Sequence, residues 1–260
     1  MTAMDKQAAS ERDEQRGRLG FGTGLKAPLR GVGFIARRAD LWLLAAVPAL
    51  VALAIAATLG TASVMWLPRL AAWLIGPTTT WYGEVGAAAA SFALAALGVL
   101  LSIALALTFA QPLSGPALDR LALAMEQSIG APTQPIVPFW RQAARSAGGA
   151  LLGLAVGLPI LAVLTVISFI VPLAAWVTFP LQLVVSGMMV TWDLMDYPFT
   201  IRGWTLTRRL AWMRANLPAA LGFGLALGIV LLIPCVHVLL LPAGTVGATW
   251  LYHQSPKPPA

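Results

Sequence analysis

The chain has 260 residues, of which 58% are hydrophobic and only 10% are Asp, Glu, Lys or Arg. Four stretches contain no charged residue at all, at 41–68, 85–118, 146–192 and 215–256. An uncharged apolar run of 18 or more residues is long enough to cross a bilayer as a helix. The composition therefore excludes a soluble globular protein, a disordered chain and a secreted disulfide scaffold. It predicts an all-α, polytopic integral membrane protein.

The net charge of +7 comes from basic residues in the loops, and we expect no nucleic-acid partner. Lys and Arg are frequent in 1–40, 119–145 and 193–214, whereas 69–84 holds a single arginine. Basic residues are retained on the cytoplasmic side of short loops. The pattern predicts a cytoplasmic N-terminus and places 69–84 outside, while the side of the C-terminus stays open.

Residues 1–18 are polar and of mixed charge, which predicts a disordered cytoplasmic tail. From Phe21 onward, apolar residues recur at helical spacing with basic residues on another face. This pattern predicts an amphipathic helix at the inner membrane interface, with anionic lipid as its partner, although internal glycines and a proline weaken it. The segment ends in Arg37 and Arg38. A guanidinium pair can hold a tetrahedral oxyanion, but the same pair also suits a plain cytoplasmic anchor of the first span.

The first two uncharged runs predict two long transmembrane helices, over about 41–66 and 85–110. Two prolines then interrupt the second helix. Residues 117–130 carry apolar side chains on one helical face, which predicts a short amphipathic helix. We expect Glu126 to lie off that apolar face.

The third run, 146–192, has room for two spans of about 20 residues, so it either crosses twice or forms a re-entrant hairpin. The fourth run is broken by Pro234 and Pro242 into apolar halves, 219–233 and 238–252. Each half is short for a full crossing. We therefore predict Pro-broken helical hairpins, partly inserted, in the C-terminal half. Broken segments of this kind often line the substrate path of transporters.

The chain offers little that supports enzyme chemistry. Two glycine-rich patterns, beginning at Gly22 and Gly31, lack the strand and βαβ unit that dinucleotide binding requires. Cys235 and His237 are too few to hold a metal ion, which takes three or four ligands. No catalytic constellation follows from the spacing of the acidic residues. We therefore predict a protein that is not an enzyme and that binds no cofactor and no metal.

A second basic pair, Arg208 and Arg209, faces Asp193 and Asp196 along the chain. Two interpretations are open, an anion site and a solvated loop that contains an ion pair. The solvated loop is the more ordinary arrangement for neighbouring charges of opposite sign.

Two short blocks in the C-terminal half, together with two prolines between them, follow a recognisable order. They are Asp196, Tyr197, Pro198 and Phe199, then Pro234 and Pro242, then Gly247, Ala248 and Thr249. In these positions the chain resembles the CysZ-like sulfate-permease family, which shares its domain with the etoposide-induced membrane protein family. The resemblance extends over about residues 19–252.

The resemblance implies a helical protein of the bacterial inner membrane, with two long spans and shorter, partly inserted hairpins, assembled as a homo-oligomer. It also implies sulfate uptake, with the anion held in a Gly-Leu-Arg type segment just before the proline of the first span. Here the matching positions are Leu41, Trp42 and Leu43, with no arginine, and Arg37 and Arg38 lie several residues earlier.

The leading hypothesis is therefore a permease for a sulfate-like anion, with Arg37 and Arg38 as the anion-binding residues. The alternative is a non-transporting membrane scaffold or envelope-assembly protein of the same family, which the missing arginine motif favours. The chain divides into the tail over 1–18, a single helical membrane domain over 19–254 and a short C-terminal tail over 255–260.

Overall fold

The computed structural model of the chain describes residues 19–77, 79–131, 139–231 and 236–255. Within these ranges the chain is helical and has no strand, which confirms the all-α fold. Four helical segments are long and apolar enough to cross a membrane, and a fifth qualifies only as a bent helix pair. The chain is thus a multi-pass membrane protein. The helices are α1 Phe21–Ala36, α2 Trp42–Ile75, α3 Trp81–Leu113, α4 Gly115–Ser128, α5 Phe139–Ile170, α6 Ala175–Ile201, α7 Leu206–Ala215, α8 Leu217–Leu231 and α9 Val236–Gln254.

Three sequence predictions fall outside the described ranges. They concern the tail over 1–18, the helix break predicted at Pro234 with the neighbouring Cys235, and nearly all of the tail over 255–260.

The chain forms two compact units, Ala46–Ala117 on the one hand and Met1–Ala45 with Leu118–Ala260 on the other. The Ala46–Ala117 unit is a hairpin of α2 and α3. With 34 and 33 residues, each helix is about 50 Å long. This length exceeds the roughly 30 Å of the bilayer hydrocarbon, so both predicted long transmembrane helices are present.

Small and hydroxylated side chains hold the hairpin together. A Cβ placed on Gly98 would lie 2.9 Å from the Cβ of Ser63, so the missing side chain lets α3 approach α2. The hydroxyls of Ser63 and Ser102 share a hydrogen bond of 3.3 Å. Large apolar side chains such as Phe92, which is 78% exposed, cover the outside of the hairpin. Such a surface is suited to lipid tails, in which helices associate through close packing of small residues.

Both long helices extend beyond the predicted spans. α2 continues through Pro68 to Ile75, and α3 begins at Trp81, so most of the predicted outer loop over 69–84 is helical. α3 also continues through Pro112 and ends at Leu113. The short helix predicted at 117–130 is α4.

In the other unit, α1 packs against α8 and α9 through its smallest residues. Gly24 and Gly31 are buried, and a Cβ on either would overlap a backbone carbonyl oxygen, that of Ala219 in α8 or Ala243 in α9. Pro28 lies within the helix without ending it. α1 is therefore continuous, although its glycines and proline predicted a weak helix. Four large apolar side chains of α1 remain exposed: Phe21, Leu25, Leu29 and Val32.

A similar close approach joins α6 to α8. Gly187 and Gly224 face each other, and a Cβ on Gly224 would lie 2.6 Å from the carbonyl carbon of Gly187. The buried hydroxyl of Thr191 donates to the carbonyl oxygens of Gly187 and Ala220, 3.0 Å away in each case. Small residues spaced four apart in the fourth run, Gly224 and Gly228 among them, thus serve helix contact.

The third run forms two helices, α5 and α6, separated by a short 3₁₀ turn over Pro172–Ala174. Leu151–Ile170 and Pro172–Ile201 are each long and apolar enough to cross a membrane. The fourth run forms α8 and α9, of 15 and 19 residues. α8 is only about 22 Å long, and α7 meets it at 90°. The helices of the third run are therefore long enough for two membrane crossings, whereas α8 is too short for a full crossing.

Candidate functional site

Arg37 and Arg38 lie in the turn between α1 and α2. Arg37 follows the last residue of α1, and a 3₁₀ turn over Ala39–Leu41 leads into α2. The indole nitrogen of Trp42 donates to the carbonyl oxygen of Ile35, 3.1 Å away, which closes the turn. Both arginines are thereby fixed at the start of a candidate membrane span.

The two guanidinium groups differ in their contacts. Arg38 donates two hydrogen bonds to Asp40, from Nε to Oδ1 at 3.2 Å and from Nη2 to Oδ2 at 2.7 Å. Their side chains are 41% and 58% exposed, respectively. Arg37 is also exposed, and no side-chain partner is found for it among the described residues. The turn therefore presents one occupied and one open guanidinium, and among the described residues both are accessible at the surface.

A buried polar cluster lies elsewhere in the same unit, where α4, the end of α6 and α9 meet. Nη1 of Arg202 donates to Oε1 of Glu126, whose side chain is only 4% exposed. Nε2 of His253 lies 3.1 Å from Nη2 of Arg202 and 3.7 Å from Oε1 of Glu126. The ring of Tyr252 lies under the guanidinium, 4.4 Å from its centre, an arrangement that stabilises a cation.

The environment of Glu126 favours its charged form. Burial by itself raises the pKa of this carboxyl group, but the neighbouring His253 and the hydrogen bond from Arg202 together outweigh burial. The pKa of Glu126 therefore lies below its ordinary value. The prediction that Glu126 lies off the apolar face of its helix is wrong, because Glu126 is buried, as are Leu121 and Met125 of the same helix.

A second buried ion pair joins α6 to α7. Arg209 donates from Nη1 to Oδ1 of Asp196, from Nη2 to Oγ1 of Thr200 at 2.9 Å, and from Nε to the carbonyl oxygen of Trp204 at 3.1 Å. The predicted ion pair of Arg209 with Asp196 is present. It is buried rather than solvated, since Arg209 is 2% exposed. Arg208 instead stacks over the ring of Trp204, 4.5 Å from its centre.

The motif residues are brought together in the core rather than around an open pocket. Phe199 is buried, stacks on Trp204 with a centroid distance of 5.0 Å, and meets Trp212 edge to face. Asp196 forms an ion pair with Arg209, and Pro198 is buried within α6. Tyr197 packs against two clusters of buried hydrophobic side chains, one that contains Phe199 and one that contains Leu121 of α4.

The second motif block supports α1. A Cβ on Gly247 would lie 2.8 Å from the carbonyl carbon of Ala27, so only glycine allows this approach of α9 to α1. Ala248 and Thr249 are fully buried, and the hydroxyl of Thr249 donates to the carbonyl oxygen of Thr245, 2.9 Å away. Pro242 lies within α9.

Comparison with known proteins identifies the family. A family model described as Sulfate transporter CysZ/Etoposide-induced protein 2.4 matches residues 27–242. This chain belongs to that family. The matched range includes both buried ion pairs and the turn with Arg37 and Arg38. It does not include His253, which lies after its end.

Curated relatives in this family carry the name Sulfate transporter CysZ. The protein from Pseudomonas paraeruginosa is 35% identical over 115 residues, which is 44% of this chain and 46% of the relative. A Pseudomonas aeruginosa protein is 34% identical over a stretch of the same length. A Pseudomonas fluorescens protein is 35% identical over 101 residues, which is 39% of this chain and 38% of the relative. The chain spans about half the length of the curated relatives it matches.

Proposed function

We propose that this member of the CysZ family is a permease for sulfate or a similar tetrahedral oxyanion in the bacterial inner membrane. In this proposal the N-terminus is cytoplasmic, as the distribution of Lys and Arg favours. The observation that carries the proposal is family membership together with the two arginines, Arg37 and Arg38, placed directly before α2. The curated relatives that bear the name Sulfate transporter CysZ support the choice of anion.

Arg37 and Arg38 are the proposed anion-binding residues. The open guanidinium of Arg37 is available to a dianion at the membrane surface. The fork of Arg38 is aimed at the Asp40 carboxylate in the two-bond geometry that also suits sulfate oxygens. Asp40 therefore acts as an internal competitor in the proposal, and an incoming anion has to displace it.

The remaining functional expectations belong to the same proposal. We expect anionic lipid to contact α1, whose exposed face combines Leu29 and Val32 with Lys26 and Arg30. We further expect a homo-oligomer, without enzymatic activity, cofactor or metal.

The test is uptake of radiolabelled sulfate into liposomes that contain the purified protein. We expect saturable uptake that falls to the level of empty liposomes when Arg37→Ala and Arg38→Ala are combined. Asp40→Asn releases the Arg38 fork and should lower the half-saturating sulfate concentration by up to about fivefold, the upper range for an exposed ion pair. Arg69→Ala, a change at an exposed arginine of α2, is the matched control and should leave uptake unchanged.

Two outcomes would contradict the proposal. Unchanged uptake in the double arginine variant removes these residues from the anion path. Absence of uptake by protein shown to be folded and inserted argues against a permease.

The second candidate is a non-transporting scaffold or envelope-assembly protein. It is favoured by the internal pairing of the buried charged groups, since Glu126 is held by Arg202 and Asp196 by Arg209. A stable protein partner that co-purifies, combined with absence of sulfate uptake, would support this candidate.

A further inference from the structure

Helix α7 lies in the chain between two apolar helices, α6 and α8. The candidate span of α6 ends at Ile201, and α8 begins at Leu217. The axes of α7 and α8 differ by 90°. A helix that stands perpendicular to an inserted neighbour runs along the membrane surface. With α8 directed into the membrane, α7 would lie in the layer of the lipid headgroups.

The inner face of α7 is anchored in the protein. Arg209 is held by Asp196, and Trp212 and Met213 are buried beside it. The indole nitrogen of Trp212 donates to the hydroxyl of Ser255, 2.8 Å away. These contacts fix the rotation of α7 about its axis and therefore determine which residues point outward.

The outer face of α7 carries two arginines and is bordered by apolar side chains. Arg208 and Arg214 are exposed on either side of Ala211, which is also exposed. Leu206 and Leu217, near the two ends of α7, are 40% and 46% exposed. Interfacial helices show this combination, with apolar side chains in the acyl boundary and long basic side chains that reach the headgroups.

The two outward arginines lie in a part of the sequence that has no acidic residue. The sequence contains no Asp or Glu after Asp196, and no ion pair is found for either arginine within the described ranges. Arg208 is held over the ring of Trp204, which orients its guanidinium while its hydrogen-bond donors remain available. Arg208 and Arg214 lie about 9 Å apart along the helix axis, and both point away from the protein.

We propose that the outer face of α7 is a docking surface for anionic phospholipid headgroups, in which Arg208 and Arg214 bind the lipid phosphates. The occupant follows from the position of α7 at the membrane surface and from its uncompensated positive charge. A guanidinium matches two oxygens of a phosphate, and basic residues beside a membrane attract anionic lipid. This surface is separate from α1 and does not depend on the proposed transport activity.

The test uses a fluorescent probe placed on this face alone. The full chain carries Ala211→Cys, labelled with an environment-sensitive dye, together with Cys235→Ser. In detergent it is titrated with short-chain phosphatidylglycerol, with the matching phosphatidylcholine and with inorganic phosphate. We expect saturable binding of phosphatidylglycerol only. Arg208→Gln combined with Arg214→Gln should weaken this binding by about 25-fold, or about fivefold for each arginine.

Two control variants make the result specific. Arg69→Gln changes an arginine in α2 that also lies over a tryptophan ring, 5.6 Å from the centre of Trp66, and should leave the titration unchanged. Arg208→Lys with Arg214→Lys keeps both charges and should retain most of the binding, which also shows that α7 tolerates substitution at these positions.

Three results would overturn the proposal. The first is equal phosphatidylglycerol binding in the double glutamine variant. The second is an equal loss of binding in Arg69→Gln. The third is a response to inorganic phosphate that matches the response to lipid, because such a surface would take soluble anions.

Discussion

Replacement of glycine by alanine should have opposite effects on stability at Gly31 and at Gly33, because only Gly31 contacts α9. Gly31 lies against α9, whereas a Cβ on Gly33 would have no atom within 4 Å. In both positions alanine improves helix propensity by about 1 kcal/mol. At Gly33 nothing opposes this gain, so Gly33→Ala should stabilise the protein by about 0.5–1 kcal/mol.

At Gly31 the added methyl group meets backbone. It would lie 2.8 Å from the carbonyl carbon of Ala243 and 3.0 Å from the amide nitrogen of Gly247, and it would overlap the Ala243 carbonyl oxygen. Carbon atoms in contact normally stand about 3.5–4.0 Å apart, so α1 and α9 have to separate by roughly 1 Å. Overpacking costs about 1–3 kcal/mol even where side chains can move. The propensity gain is the same at both positions, so Gly31→Ala should be less stable than Gly33→Ala by the overpacking cost, about 1–3 kcal/mol.

The assay is reversible denaturant unfolding of the purified protein in mixed micelles, followed by tryptophan fluorescence. The expected order of stability is Gly33→Ala, then wild type, then Gly31→Ala. Equal stability of the two variants would refute the reasoning, because it would mean that α1 does not contact α9 through Gly31. The same measurement bears on Arg37, because displacement of α1 also displaces the turn at its end.

The buried ion pairs give two further predictions. Glu126 has a lowered pKa, so its contribution to stability is full above its unfolded pKa of about 4.3 and is lost as the pH falls through the folded value. Glu126→Gln should therefore lower the thermal midpoint at pH 7, and the gap to wild type should narrow below about pH 4.3; a gap that is constant with pH would contradict this. Arg209→Lys cannot keep the three directed hydrogen bonds of the guanidinium and should cost about 2–4 kcal/mol in unfolding free energy. Arg208→Lys should change that free energy by less than about 0.5 kcal/mol, so equal losses in the two lysine variants would refute the geometric argument.

The membrane spans were predictable because they depend on local composition. The two uncharged runs that became α2 and α3 needed only length and hydropathy, and the 3.6-residue period was sufficient for α4. The extension of α2 through Pro68 was not predictable in this way. A proline lowers local helix propensity, while the hydrogen bonds of the surrounding helix and the absence of water favour continuation.

Partners that lie far apart in the chain could not be predicted from local patterns. Arg202 is 76 residues from Glu126 and 51 residues from His253. The helical period of α4 alone therefore could not predict that Glu126 is buried. Arg208 and Arg209 are adjacent in sequence but differ in environment, because successive residues of a helix point about 100° apart. Only the packing of α7 decides which of the two forms the ion pair.

The distribution of charge restricts where an anion can be bound. The Ala46–Ala117 hairpin contains only two charged residues, Arg69 and Glu84, and both are exposed. Its apolar surface cannot stabilise a dianion, because a charge in low dielectric requires an opposite charge or directed donors. In the other unit, Arg202 and Arg209 are already neutralised by carboxylates in the two buried ion pairs, and the exposed Arg208 and Arg214 lie on α7 rather than at the start of a span. A sulfate at Arg202 or Arg209 would have to compete with a buried carboxylate, whereas at Arg37 it would meet an exposed guanidinium. The turn before α2 is therefore the position at which substitution separates a permease from a scaffold most directly.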